Sequence, residues 1–393
     1  MDFKFSDSAR KVQPCFVREI QKYLNNPKMI SFAGGNPNPS TFPINEISNS
    51  TVKVLTSNGN KVMQYSCSEG EEELRKFIAE RYKIKHGINV SFENIIITSG
   101  AQQGLSLLCK IFLNSAMPIV MENPGYLGAI QVFDSYQAKI HTVPLNEDGI
   151  DIEILDFKLK KYNPIFLYSV PEFNNPTGIT YSYENKKKIA ELMKKNNTLF
   201  IEDNPYNELR FMGNEVPLMK KILPEKTILL GSFSKIISPA MRLGWLCASE
   251  EIIKKLVVMK QATDLHTNSF SQNILLQYIT DYDLDKHIEK IKHIYKNKCN
   301  LMIKELENNL PYNVKFIKPE GGMFVWLELP ENISSRDIFE KSINENVIFI
   351  PGDSFYAENV KYNTIRLNYT NSSDEDIING IKKLSNIIKK FIL

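Results

Sequence analysis

An α/β architecture is what these 393 residues predict: a large domain built on a mostly parallel sheet, and a smaller α+β domain after it. Three observations carry the expectation. Short β-rich runs in the middle of the chain are apolar nearly throughout, as strands buried on both faces must be. Segments with helical spacing separate them, the alternation of a parallel sheet with crossover helices. From about residue 281 this gives way to one long helical pattern, then short strands and helices. The expected divisions are 1–45 for an N-terminal arm that completes part of the small domain, 46–285 for the large domain and 286–393 for the small one.

The strand runs are Ile95-Ile96-Ile97, Pro118-Ile119-Val120-Met121, Ile165-Phe166-Leu167-Tyr168, Leu199-Phe200-Ile201 and Ile228-Leu229-Leu230. Between them, residues 184–196 place Ile189, Leu192 and Met193 on one helical stripe. Ser68-Glu69-Gly70-Glu71 has the form of a capping box and predicts a helix start, with Leu74, Phe77 and Ile78 facing inward. No internal repeat or low-complexity linker interrupts the chain.

Composition excludes several classes of function. Apolar and charged fractions of 42% and 24% belong to a globular protein. Lys+Arg 48 against Asp+Glu 45 leaves +3, with no basic stripe to follow a phosphate backbone, so no nucleic-acid partner is expected. Lys186-Lys187-Lys188 and Lys389-Lys390 read as solvated helix faces. No apolar stretch approaches the roughly 20 residues that cross a bilayer, and Met1-Asp2-Phe3-Lys4 opens no signal-peptide core. Five scattered cysteines without a C-x-x-C pair suit a reducing cytoplasm. The five histidines show no ligand spacing, and no metal site is expected.

The residues just after each apolar run are more informative. The first run leads into Thr98-Ser99-Gly100-Ala101-Gln102, the second into Glu122-Asn123-Pro124-Gly125-Tyr126 and the third into Asn174-Asn175-Pro176-Thr177-Gly178. The fourth leads into Glu202-Asp203-Asn204-Pro205-Tyr206, and the fifth into Gly231-Ser232-Phe233-Ser234-Lys235. In an open parallel sheet these ends share one edge, where ligands bind. Each piece has an ordinary reading alone: a strand-to-helix turn, a proline turn, an Asx turn, a packing aromatic, a solvated lysine. Together they set an anion nest at a helix start, an aromatic, an amide, a carboxylate and an amine along one edge. Lys235 resists the ordinary reading best, because an ammonium at the end of an apolar strand is costly unless paired or reacted. With Arg242 seven positions on, its proton is easily lost and its amine can form imines.

At these residues the chain resembles the class I/II aminotransferases of pyridoxal-phosphate (PLP) fold type I. Ser232-Phe233-Ser234-Lys235 with Arg242-Leu243-Gly244 is similar to the family's Schiff-base segment. Asn175-Pro176-Thr177-Gly178, Asp203-x-x-Tyr206 and Arg366 in Ile365-Arg366-Leu367-Asn368 match its other hallmarks, in order. The resemblance runs from about residue 30 to 389. It implies a mostly parallel seven-stranded sheet in the large domain, PLP as cofactor and an exchange of amino groups between an amino acid and a 2-oxo acid such as 2-oxoglutarate. Lys235 is then the Schiff-base lysine and proton shuttle. Asp203 keeps the pyridinium nitrogen protonated, and Asn175 and Tyr206 bind the phenolic oxygen. Tyr126 stacks on the ring. Gly100, Ala101, Gln102, Ser232, Ser234 and Arg242 hold the phosphate, while Arg366 and Gly35 receive the substrate carboxylate. Tyr65 looks like the tyrosine that relatives send into the neighbouring subunit's site, which implies a homodimer.

Ile30-Ser31-Phe32-Ala33-Gly34-Gly35 with Thr41-Phe42-Pro43 is similar to the 2-aminoadipate/kynurenine branch, which implies an aromatic, 2-aminoadipate-like or broad donor range. Arg18 matches an arginine that meets acidic side chains there; a solvent-facing helix arginine is the other reading. Cys15, Asn36 and Asn174 depart from the residues usual in that branch. Two alternatives stay open. One is a PLP C–S lyase or decarboxylase on the same fold. The other is an aminotransferase-like sensor without catalysis, although the family pattern begins too early for the DNA-binding domain such regulators carry in front.

Overall fold

The computed structural model describes residues 3–12, 16 and 20–392. Among them the main sheet has eight strands, in the order Ile95–Thr98, Gly244–Cys247, Thr227–Ser232, Leu199–Asp203, Phe166–Ser169, Pro118–Asn123, Lys139–Asn146 and Gly149–Ile150. The five predicted runs are five of these strands. Neighbours pair in parallel from Thr227–Ser232 through Lys139–Asn146. Gly244–Cys247 is antiparallel to both of its neighbours, which turns Ile95–Thr98 back into the common direction. The eighth strand, one more than expected, is the two-residue Gly149–Ile150, folded back on the edge strand in antiparallel pairing.

Both faces of this sheet are buried, which is why its strands read as unbroken apolar runs. Ile119, Met121, Phe166, Tyr168 and Ile201 join one core, while Val120, Leu167 and Phe200 alternate into a second on the opposite face. Three strands escaped the sequence reading, the two-residue Gly149–Ile150 among them. Lys139–Asn146 is exposed at both ends, and Gly244–Cys247 is four residues beginning with glycine.

Two local expectations are corrected. The helix after Gly70 is Glu72–His86; its N-cap is Glu71 and receives no side-chain hydrogen bond. Gly70 sits at φ +96° and its N–H bonds to Cys67 O at 3.2 Å, so Ser68 belongs to a turn and caps nothing. Leu74 and Ile78 do face the core. Lys186 is not on a solvated face. In the helix Tyr183–Lys195 it is fully buried, with Nζ 2.5 Å from Glu172 Oε1. Lys186 falls on the same buried stripe as Ile189 and Met193, and Glu172 supplies the charge that makes this tolerable.

The C-terminal part carries an antiparallel sheet in the order Lys315–Phe316, Phe324–Glu328, Thr364–Asn368 and Ile350–Pro351. Helices Leu284–Asn309 and Asp374–Ile392 pack together beside it. The N-terminal Ile30–Ser31 pairs in parallel with Val347–Ile348, and Asn368 N–H bonds Phe32 O at 2.8 Å. The arm is thus stitched to the C-terminal part and brings Ala33 and Gly35 over the edge of the large sheet. Among the described residues no helix is long and apolar enough to cross a membrane.

Candidate active site

The C-terminal ends of the parallel strands open into a cavity of about 500 Å³. The strand Leu199–Asp203 shows how the fold loads it. Side chains alternate along a strand, so Glu202 points away and accepts from Met219 and Lys220 N–H, while Asp203 points to the cavity wall. Asp203 is buried; its Oδ2 accepts from the Tyr168 hydroxyl at 2.6 Å, and its Oδ1 has no hydrogen-bond partner among the described residues. Burial pushes this carboxyl up to about 6, with the Tyr168 bond pulling the other way.

Lys235 follows the Thr227–Ser232 strand on the same wall. It is half-buried, and its Nζ donates to Gly35 O at 2.8 Å. Burial lowers it to about 8, and the charges of Arg366 and then Arg242 add to the effect. A lysine near 8 keeps a working fraction of neutral, nucleophilic amine at physiological pH.

Two arginines mark the ends of the cavity. Arg366 is 3% exposed; its Nη1 donates to Asn175 Oδ1 at 2.9 Å and its Nη2 to Ala33 O at 2.6 Å. Its guanidinium lies 4.4 Å from the Phe324 ring centroid and 5.0 Å from that of Phe355. Such contacts contribute about 2 kcal/mol where water is excluded. Arg242 is exposed and donates to Ser99 O at 3.2 Å and Pro239 O at 3.3 Å. Beside it Gly100 takes φ +79°, and a Cβ there would stand 2.6 Å from Arg242 Nη2. That position needs glycine twice over, for its backbone and for its space.

The rest of the expected set lies on the same cavity. Ala101 and Gln102 line it at the start of the helix Ala101–Phe112, with Ser232 and Ser234 nearby. Tyr126 reaches Gln102 Oε1 from its hydroxyl at 3.3 Å. Tyr206 and Asn175 complete the lining; burial pushes the Tyr206 phenol well up, while a hydrogen bond with Asn175 works against the shift. Tyr65 is outside: 78% exposed, its ring edge-on to His266 at 5.9 Å. Arg18 and Cys15 lie outside the described residues. Tyr168, which holds Asp203, enters the sequence analysis only as part of a strand run, and an aromatic inside an apolar run carries no signal of its hydroxyl's partner. No group of His, Cys, Asp and Glu suited to a metal occurs among the described residues.

These residues fit the cofactor implied by the resemblance. The orphaned Asp203 oxygen costs about 1–3 kcal/mol unless a donor arrives, and a protonated ring nitrogen is such a donor. The glycine-lined helix start beside Arg242 and two serines is a cradle for a phosphate. The Lys235 amine is available to an aldehyde.

Comparison with known proteins agrees. Residues 27–384 match the family described as aminotransferase class I and II. An aromatic-amino-acid aminotransferase of Thermococcus litoralis is 39% identical over 392 residues, spanning 98% of this chain and 94% of the relative. The structure of a Pyrococcus horikoshii kynurenine aminotransferase, in complex with PMP, is 38% identical at a TM-score of 0.94, covering 98% of this chain and 97% of that one. That of an α-aminoadipate aminotransferase from Thermus thermophilus, complexed with N-(5'-phosphopyridoxyl)-L-leucine, is 35% identical at a TM-score of 0.92, covering 99% and 98%.

Proposed function

The chain belongs to the class I and II aminotransferases, PLP enzymes of fold type I that transaminate amino acids, and from that premise we propose its residue roles and substrate range. The donors are aromatic amino acids first, with 2-aminoadipate-like and kynurenine-like donors accepted, and 2-oxoglutarate receives the amino group. The observation that carries the assignment of roles is the half-buried Lys235 amine on the same cavity as the orphaned Asp203 oxygen and the Arg366 guanidinium.

PLP, when bound, supplies an electron sink that lets the substrate α-carbon release its proton. Lys235 anchors it and carries the proton at Nζ, a role suited to an amine near 8. Asp203 would hold the ring N–H through Oδ1, with Tyr168 fixing its other oxygen. Asn175 and Tyr206 would donate to the phenolic oxygen of the ring, and Tyr126 would pack against the ring. Gly100, Ala101, Gln102, Ser232, Ser234 and Arg242 hold the phosphate. Arg366, steadied by Asn175 and two aromatic faces, grips the α-carboxylate that amino acid and oxo acid have in common. One grip therefore serves both half-reactions. Val170, Leu127 and Phe355 give the cavity an apolar side, which suits an aromatic substituent, and the family branch supports the acidic donors.

We further propose a homodimer in which Tyr65 enters the partner's site. Exposed Ile44, Val52, Leu55, Met63 and Tyr65, on or just after the helix Ile44–Val62, form the apolar surface behind that proposal.

The test is a donor panel of phenylalanine, tyrosine, kynurenine, 2-aminoadipate and leucine against 2-oxoglutarate. Purified protein is expected to be yellow, to lose colour with a donor and to regain it with 2-oxoglutarate. Lys235→Ala should abolish the cycle and lower turnover by about a thousandfold or more. Residual turnover within tenfold of wild type would remove Lys235 from its role.

A further inference from the structure

Glu122 is the penultimate residue of the Pro118–Asn123 strand, is fully buried and does not line the cavity. Its carboxylate is a hub of four hydrogen bonds. Oε1 accepts from Val170 N–H at 2.9 Å and from Asn174 Nδ2 at 2.7 Å. Oε2 accepts from Ser169 Oγ at 2.6 Å and from the Tyr181 hydroxyl at 2.5 Å. All four donors come from residues 169–181, the segment that leaves the Phe166–Ser169 strand and carries Asn175.

The Asn174 amide is used at both ends. Its Nδ2 goes to Glu122, and its Oδ1 accepts from Thr177 N–H at 3.1 Å and Thr177 Oγ1 at 2.8 Å. Gly178 N–H closes the same loop on Asn174 O at 2.7 Å. The next side chain along is Asn175, whose Oδ1 meets Arg366. A carboxylate only accepts, so Glu122 dictates which way the Asn174 amide faces and thereby how the loop closes. The four donors are neutral, and burying a carboxylate on neutral donors costs several kcal/mol. Burial accordingly pushes Glu122 up to about 7 against the pull of its donors. Packing alone would be served by an uncharged side chain.

We propose that Glu122, acting through Asn174, is a positioning residue that sets the Asn175 amide against Arg366 and so tunes the grip on the substrate carboxylate. The proposal rests on the roles given above to Asn175 and Arg366.

The test compares holoenzymes of wild type, Glu122→Ala, Glu122→Gln, Asn174→Ala and Arg366→Ala. Three quantities are read: the dissociation constant of 2-oxoglutarate from the pyridoxal form by absorbance titration, the pH midpoint of the visible absorption, and the thermal unfolding midpoint. Glu122→Ala and Asn174→Ala should weaken 2-oxoglutarate by about tenfold or more, since small misplacements at an oriented site are amplified. They should also raise the absorption midpoint, because Asn175 leaves its place. Glu122→Gln, which can still accept from Val170 and Asn174, should recover most of both. Unfolding midpoints that fall while both other readouts stay at wild-type values would overturn the proposal and leave Glu122 a purely structural hub. If Glu122→Ala does not fold, Asn174→Ala decides alone, since it retains the carboxylate and three of its donors. Unchanged 2-oxoglutarate binding in Arg366→Ala would instead sink the carboxylate grip, and the Glu122 proposal with it.

Discussion

The two arginines of the cavity live in opposite surroundings. Arg242 is exposed and rests on backbone oxygens of Ser99 and Pro239, seven residues after Lys235. Arg366 is buried and is held by Asn175, 191 residues away, and Ala33, 333 residues away. One end of the cavity lies at the surface, where Arg242 joins its own turn at Pro239 to Ser99, 143 residues away; the other is buried where the N-terminal arm, the large sheet and the C-terminal sheet meet. An exposed site tolerates side-chain loss better than one in which a buried charge depends on its partners, because water can replace partners at the surface and not in the core.

The strongest blow to that contrast is Arg366→Ala. It should raise KM for donor and for 2-oxoglutarate together by about a hundredfold, with cofactor affinity little changed, as steady-state kinetics and cofactor titration would show. A selective effect on one substrate would mean that the two carboxylates do not share a grip.

Gly100→Ala should act at the other end. At φ +79° and ψ 165°, a region held essentially by glycine alone, a Cβ costs about 1–3 kcal/mol, and the new methyl meets Arg242 Nη2 at 2.6 Å. Cofactor affinity is expected to fall by about tenfold, from the same energy, while KM values on the saturated enzyme hold. A rise in KM at full saturation would show that the two ends are coupled.

The smallest effect is the most diagnostic. Lys235 lies near 8 in place of 10.5, through burial first, then Arg366, then Arg242. The neutral amine gains as pH rises, so the rate of cofactor uptake by cofactor-free protein should increase with pH and level off above about 8. Arg366→Gln should move that midpoint upward, and Arg242→Gln should move it upward by less. The reverse order would make the exposed arginine the stronger neighbour.

Legibility followed the same division. Five strands, the edge where their ends meet and the Lys235–Arg242 segment could be read directly, because apolar runs and turn chemistry are local properties. The Ser68 cap failed since Gly70 could serve a turn as readily as a helix start. Lys186 failed because the charge that allows its burial, Glu172, lies in a different element. Tyr168 and Glu122 stood in plain view in the chain, but a hydroxyl or carboxylate announces its partner only when another strand is laid beside it.

Residue order was enough to indicate the α/β layering, the strand-end cluster and the amine near a cation, since each is announced by short apolar runs and the few residues that follow them. The pairing of Arg366 with Asn175 and Ala33, the Tyr168 support of Asp203 and the Glu122 hub came from chain packing. Those contacts join residues tens to hundreds of positions apart, and burial there turns each hydrogen bond from optional into required.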